Sequence, residues 1–136
     1  IGVAQFEQID EFIEKKRWIG NRYNELLVDM GMINLPLQKT SYCENIYWVY
    51  AITLKDYCEK NAKKVISELG KEGVGTRPFF YPMHKQPFFN KMELFLDEYL
   101  PNSENLYERG FYIPSGLALT QEEIEKVSES MHRVLR

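Results

Sequence analysis

A small α+β domain, with a largely antiparallel sheet and helices on one of its faces, is the fold class this sequence predicts. Three observations lead there. Ile46–Leu54, IYWVYAITL, is dense in aromatic and β-branched side chains, as a strand central to a sheet should be. The opening and closing stretches carry apolar residues at three- and four-residue steps, the spacing of amphipathic helices. Between them, short strand and helix patterns are strung around one long irregular loop, Gly73–Phe89, which suits a small sheet covered on one side.

Taken in order, Ile1 to about Met30 places Ile9, Phe12, Ile13, Tyr23, Leu26, Leu27 and Met30 on one stripe, with Gly31 as its stop. A helix of that length, roughly 45 Å at 1.5 Å per residue, outreaches so small a domain, so part of its stripe should face another domain or subunit. Met32–Leu37, interrupted by Pro36, suits an edge strand. Gln38–Asn45 is turn-like, Ile46–Leu54 is the central strand, and Lys55–Lys60 is a charged connector.

Ala62, Val65, Ile66 and Leu69 then mark a helix with Asn61 as N-cap and Gly70 or Gly73 at its end. Val74–Arg77 can be a second strand feeding the long loop. That loop holds Pro78, Pro82 and Pro87, which should stiffen it without joining a ladder, and five rings: Phe79, Phe80, Tyr81, Phe88 and Phe89. Met92–Tyr99 fits a short helix or an irregular packed segment equally well. Ser103–Arg109 reads as two helical turns closed by Gly110, and Phe111–Ile113 as a buried strand stopped by Pro114. Thr120-Gln-Glu-Glu123 is a capping box opening the last helix through Ile124, Val127, Met131 and Val134–Leu135.

With 136 residues, 44% hydrophobic and 27% charged, the chain has the proportions of one soluble globular domain. Its charge, 17 minus 20 or −3, comes without a basic block, which argues against a nucleic-acid partner. There is no apolar run of membrane-spanning length and no signal peptide, so no membrane association and a cytoplasmic setting are expected. Cys43 and Cys58 show no metal-ligand spacing and read as two reduced, half-buried thiols. The chain opens at Ile1 as if inside a helix, without a capping residue, the pattern expected of a piece of something longer.

Candidate binding residues concentrate in the loop. Arg77 precedes Pro78, which pushes its backbone extended and sets its guanidinium at a strand-to-loop junction, able to fork onto a phosphate or carboxylate; a surface arginine paired with an acid is the plainer reading. Tyr81 and His84 flank Pro82-Met83 and so share one rigid turn. His84 could act as acid, base or donor, or simply bond a nearby carbonyl. Phe79, Phe80, Phe88 and Phe89 could stack on a base or sugar, although fastening the loop to the core explains at least two of them. Pro114-Ser-Gly-Leu117 is a turn that a ligand could approach. His132 reads as solvated. No nucleophile arrangement, paired carboxylates, P-loop or dinucleotide fingerprint is present, so no residue is expected to be catalytic and none to bind metal.

The loop GVGTRPFFYPMHKQP, the opening IGVAQFEQIDEFIEKKRWIGNRYNELL, the strand IYWVYAITL and the ending ERGFYIPSGLALTQEEIEKV together resemble, in that order, the C-terminal part of the DegT/DnrJ/StrS-type pyridoxal-phosphate-dependent nucleotide-sugar aminotransferases, above all the perosamine synthetase-like ones. The resemblance implies the aspartate-aminotransferase fold (fold type I), with residues 1–31 as the long inter-domain helix and 32–136 as the small C-terminal domain. It implies pyridoxal 5′-phosphate on a lysine of a large domain that lies upstream; no lysine here stands in that motif, so the fragment alone should hold no cofactor and be inactive. Arg77, Tyr81 and His84 match the small-domain loop that closes over the nucleotide-sugar substrate near a subunit boundary, Arg77 toward a diphosphate or carboxylate and the other two toward sugar or phosphate oxygens. The RPFFYP wording leans to a GDP-linked 4-keto-6-deoxy sugar, with glutamate as amino donor and a homodimer as the intact enzyme; UDP- and dTDP-linked sugars stay open. The alternative is a stand-alone α+β interaction or ligand-sensing module.

Overall fold

A computed structural model describes all residues, 1–136. Its sheet is built on β2 (Tyr50–Leu54) and β4 (Gly110–Ile113), which run antiparallel with Tyr50 opposite Ile113 and Ile52 opposite Phe111. Side chains alternate across a strand, so Tyr50, Ile52, Leu54, Phe111 and Ile113 all turn to one face and are buried there. Two short strands complete the sheet: β1 (Ile33–Asn34) beside β2, and β3 (Arg77–Pro78) beside β4, giving the order β1-β2-β4-β3, antiparallel throughout.

Against the buried face lie α2 (Ile9–Leu27), α3 (Ala62–Lys71) and α6 (Gln121–Val134). Their inward stripes, including Ile19, Tyr23, Leu27, Val65, Leu69, Ile124 and Met131, join the strands in one core of 21 buried residues. Burying one such side chain contributes about 1.5–3 kcal/mol, whereas an exposed ion pair contributes about 0–1 kcal/mol; the core, not the surface charge, sets stability. Both predicted caps form: Asn61 accepts the Lys64 amide, and Thr120 and Glu123 make the reciprocal capping box. Gly73, at φ +78, turns the chain out of α3, and the Val74 amide closes on the Leu69 carbonyl at 2.9 Å.

Several expectations need correction. The opening helix is two pieces, α1 (Gly2–Phe6) and α2, parted at Glu7–Gln8, and α2 ends at Leu27, a turn before Gly31. Helix α1 buries no residue, so no tertiary contact holds it in line with α2; Val3 and Phe6 stay exposed. The central strand begins at Tyr50, not Ile46. Tyr47 takes a left-handed backbone, φ +52, and its ring fills the space over Gly20, where an added β-carbon would lie 2.3 Å from Tyr47 Cγ. Its hydroxyl accepts from Asn24 Nδ2 at 2.8 Å, and Tyr50 donates to Asn24 Oδ1 at 2.6 Å, which satisfies this buried amide.

Within the long loop, Pro78 does join the ladder, opposite Phe111; as an edge residue it needs no outward donor. Pro87–Lys91 forms a short helix, α4, with Pro87 at its first turn. Met92–Tyr99 is irregular, and Glu93 and Phe95 are left-handed. α5 (Pro101–Arg109) leads straight into β4. The cysteines differ, Cys43 exposed and Cys58 buried. His132 is half-buried, its Nε2 3.0 Å from the Leu26 carbonyl oxygen near the end of α2. No helix is long and apolar enough to cross a membrane.

Candidate functional site

Two concavities are lined by Arg77 and by Tyr81, two of the residues singled out in the sequence. The first lies at the β3–β4 edge of the sheet. Register places Arg77 opposite Tyr112, and because Phe111 and Ile113 face the core, Tyr112 faces outward with it. Phe79 extends β3 by bonding its amide to the Gly110 carbonyl at 3.3 Å, then stacks on Tyr112 with centroids 4.7 Å apart and planes 27° apart. Beside this pair is a cavity of about 280 Å³ lined by Val49, Thr76, Arg77, Tyr112, Pro114 and Ser115 among others, none of them acidic.

Helix α2 braces the floor of that cavity. Tyr23 donates its hydroxyl to the Pro114 carbonyl at 2.9 Å, and Lys16 donates its amine to the carbonyls of Trp48 and Ser115. Burial lowers the Lys16 pKa from the ordinary lysine value, because no carboxylate compensates the loss of water. The hydroxyl of Tyr23 is buried and its pKa is pushed well above that of an ordinary tyrosine, first by desolvation and then by Glu123, so it stays a donor.

The second concavity lies against α5. Tyr81 meets Tyr107 edge-on, centroids 4.9 Å apart, and a cavity of about 210 Å³ is lined by Tyr81, Pro82, Lys85, Glu104 and Tyr107. His84 occupies a single 3₁₀ turn, Met83–Lys85, and is buried, with Nε2 2.9 Å from Glu104 Oε1. Lys85 donates to the other Glu104 oxygen. These bonds, Lys85 first and His84 second, hold the Glu104 carboxyl below the usual carboxylate range, and Glu104 in turn raises Lys85. His84 Nδ1 is buried without a partner.

Arg77 and the Pro114–Ser115 turn, both candidates on sequence grounds, thus share one cavity, while Tyr81 lines the other and the buried His84 lines neither. Phe79 fastens the loop to the sheet, and Phe89 packs edge-on with Phe88 and Phe95, whereas Phe80 and Phe88 remain exposed. Sequence reasoning missed Thr76, Tyr112 and Glu104. Strict alternation along Phe111-Tyr112-Ile113 is a signal that would have found Tyr112; no local signal pairs His84 with a carboxylate twenty residues on.

The residues present do not by themselves fit pyridoxal phosphate. Each half-buried lysine is engaged: Lys15 over the Trp18 ring, Lys16 on two carbonyls, Lys55 near the Tyr57 ring, and Lys60 on Glu68 and the Val134 carbonyl. No group of three or more His, Cys, Asp or Glu side chains is placed to hold a metal ion.

The model of the DegT/DnrJ/EryC1/StrS aminotransferase family matches residues 1–132. Among curated relatives, a GDP-perosamine synthase of Escherichia coli O157:H7 is 28% identical over 132 residues, covering 97% of this chain and 34% of that protein. One from Caulobacter vibrioides is 27% identical over 135 residues, covering 99% and 36%. The chain therefore spans about a third of the length of the curated relatives it matches. Among solved structures, the aminotransferase TlmJ from Streptoalloteichus hindustanus superposes with TM-score 0.84 at 21% identity, covering 98% of this chain and 34% of its own. An Escherichia coli GDP-4-keto-6-deoxy-D-mannose-3-dehydratase with bound hydrated PLP superposes with TM-score 0.74 at 17% identity, covering 99% and 33%. At those identities the likeness is one of fold: this α+β unit has the architecture of one third of a pyridoxal-phosphate-dependent aminotransferase.

Proposed function

Because the chain belongs to the DegT/DnrJ/EryC1/StrS aminotransferase family, we propose that it is the C-terminal small domain of a pyridoxal-phosphate-dependent sugar aminotransferase. Residues 1–31 are then the inter-domain helical segment and residues 32–136 the sheet domain. The observation that carries this is the family match over 1–132, together with relatives about three times as long.

The substrate is a nucleotide-linked 4-keto-6-deoxy sugar, GDP-linked by the relatives named GDP-perosamine synthase, with glutamate as amino donor and a cytoplasmic homodimer as the working form. When bound elsewhere in the intact protein, the cofactor supplies the electron sink for amino transfer; this chain's part is to bind and orient. Arg77 provides a permanent cation for a phosphate or carboxylate. Tyr81 presents its hydroxyl from the turn on α5, and His84, gripped at Nε2 by Glu104, has Nδ1 left for a substrate oxygen or a bridging water.

The test is the intact protein incubated with GDP-4-keto-6-deoxymannose and glutamate, with the amino sugar read by mass spectrometry. Arg77→Ala should raise KM for the nucleotide sugar by about tenfold or more and leave the visible absorbance of the bound cofactor unchanged. Absence of any amino sugar from GDP-, UDP- and dTDP-linked keto sugars would sink the reading.

A further inference from the structure

We propose that Thr76, Tyr112 and Ser115 join Arg77 in an oxyanion subsite at the β3–β4 edge of the sheet, which takes a carboxylate or a phosphate of a substrate. This deepens the role given to Arg77 above and rests on that reading.

Charge supplies the first argument. Acidic side chains outnumber basic ones, 20 to 17, yet the chain's ion pairs engage Arg17, Arg22 and Arg133, and Arg109 is spent on the carbonyls of Lys55, Asp56, Cys58 and Lys60. Arg77 is in none of these, and no acid lines its cavity. Lys16, which braces the Ser115 carbonyl, also lacks a carboxylate partner. A cation without counter-charge in a concavity free of acids makes it attractive to an anion.

The hydroxyls supply the second. Thr76 Oγ1 is buried without a partner, and leaving such a donor unsatisfied costs folding free energy that a ligand can recover. Tyr112 and Ser115 line the same cavity, and neither hydroxyl has a hydrogen-bond partner within the chain. A guanidinium and three hydroxyls are donors suited to the oxygens of an anion. The frame is set in advance: Tyr112 is pinned by the Phe79 stack, and the Pro114–Ser115 turn is tied to α2 by Tyr23 and Lys16, so little ordering is left for binding.

The experiment uses the intact protein, titrated calorimetrically with glutarate in one arm and inorganic pyrophosphate in the other. Thr76→Val and Tyr112→Phe keep shape and the ring stack while deleting a hydroxyl. Each is expected to weaken the bound probe about threefold to tenfold, and Arg77→Gln by about tenfold to a hundredfold, with near-ultraviolet circular dichroism unchanged. Loss confined to glutarate assigns the subsite to the amino donor; loss confined to pyrophosphate assigns it to the nucleotide diphosphate. If neither probe binds the wild type, or all three variants bind as the wild type does, the subsite is refuted. Amino-sugar formation, followed on the same samples, separates the two readings: turnover with unresponsive variants refutes the subsite alone, and responsive variants without turnover refute the aminotransferase reading alone.

Discussion

The ring of Phe79 lies where a side chain of Gly110 would be: a β-carbon there would stand 2.3 Å from Phe79 Cδ2 and 2.4 Å from the Leu106 carbonyl oxygen. The absent side chain at the α5–β4 junction lets Phe79 settle on the sheet, cover Tyr112 and hold β3 in place. Gly110→Ala is therefore expected to lose about 1–3 kcal/mol through overpacking, read from the urea midpoint, and to loosen the segment bearing Arg77. Wild-type stability in that variant would show that Phe79 moves aside freely.

The Glu104 carboxyl titrates below its ordinary value of 4.5 because Lys85 and His84 bond its charged form. A depressed carboxyl stabilises the fold at pH values above the unfolded pKa and loses that contribution as pH falls through the lower, folded one. Glu104→Gln should accordingly be less stable than wild type at pH 7, and the gap should close on acidification from about pH 5 downward. A gap that stays constant between pH 7 and pH 3 would place the stabilising effect elsewhere than in this carboxylate.

Asn24 joins two buried tyrosine hydroxyls across the interface of α2 and the sheet. Replacing it by leucine leaves both hydroxyls without their partner, at a cost of about 1–3 kcal/mol or more. Asn24→Leu together with Tyr47→Phe and Tyr50→Phe should recover part of that loss in thermal unfolding, since removing all the polar partners is cheaper than stranding some. No recovery would mean that packing, not hydrogen bonding, dominates there.

Thr120→Ala removes one half of the capping box of α6 and should cost about 1 kcal/mol, measured by denaturant unfolding. Thr120→Ser, which keeps the hydroxyl, should restore most of it.

What the sequence made legible was local. The caps at Asn61 and Thr120 depend on residues three apart, and the alternation from Tyr50 to Leu54 depends on neighbours, so both could be read directly. What escaped depended on contacts made far along the chain. Tyr47 leaves the strand because Gly20, on another element, opens a slot for its ring, and Pro78 enters the ladder because its partner strand lies some thirty residues away. Arg77 and the Pro114–Ser115 turn were each recognisable as candidates; their meeting in one cavity needed the β3–β4 register, and Thr76 became a candidate only through burial.

Both outer strands of the sheet are two residues long, and one of them ends in Pro78. An exposed edge recruits other chains by offering a row of free amides and carbonyls, and here each row is cut off almost at once, on one side by a residue with no amide hydrogen to give. The central strand Tyr50–Leu54 is paired along Tyr50–Thr53 by β4, while β1 covers its other side only at Thr53 and Leu54. The two outer strands themselves thus give copies of the chain little edge to extend.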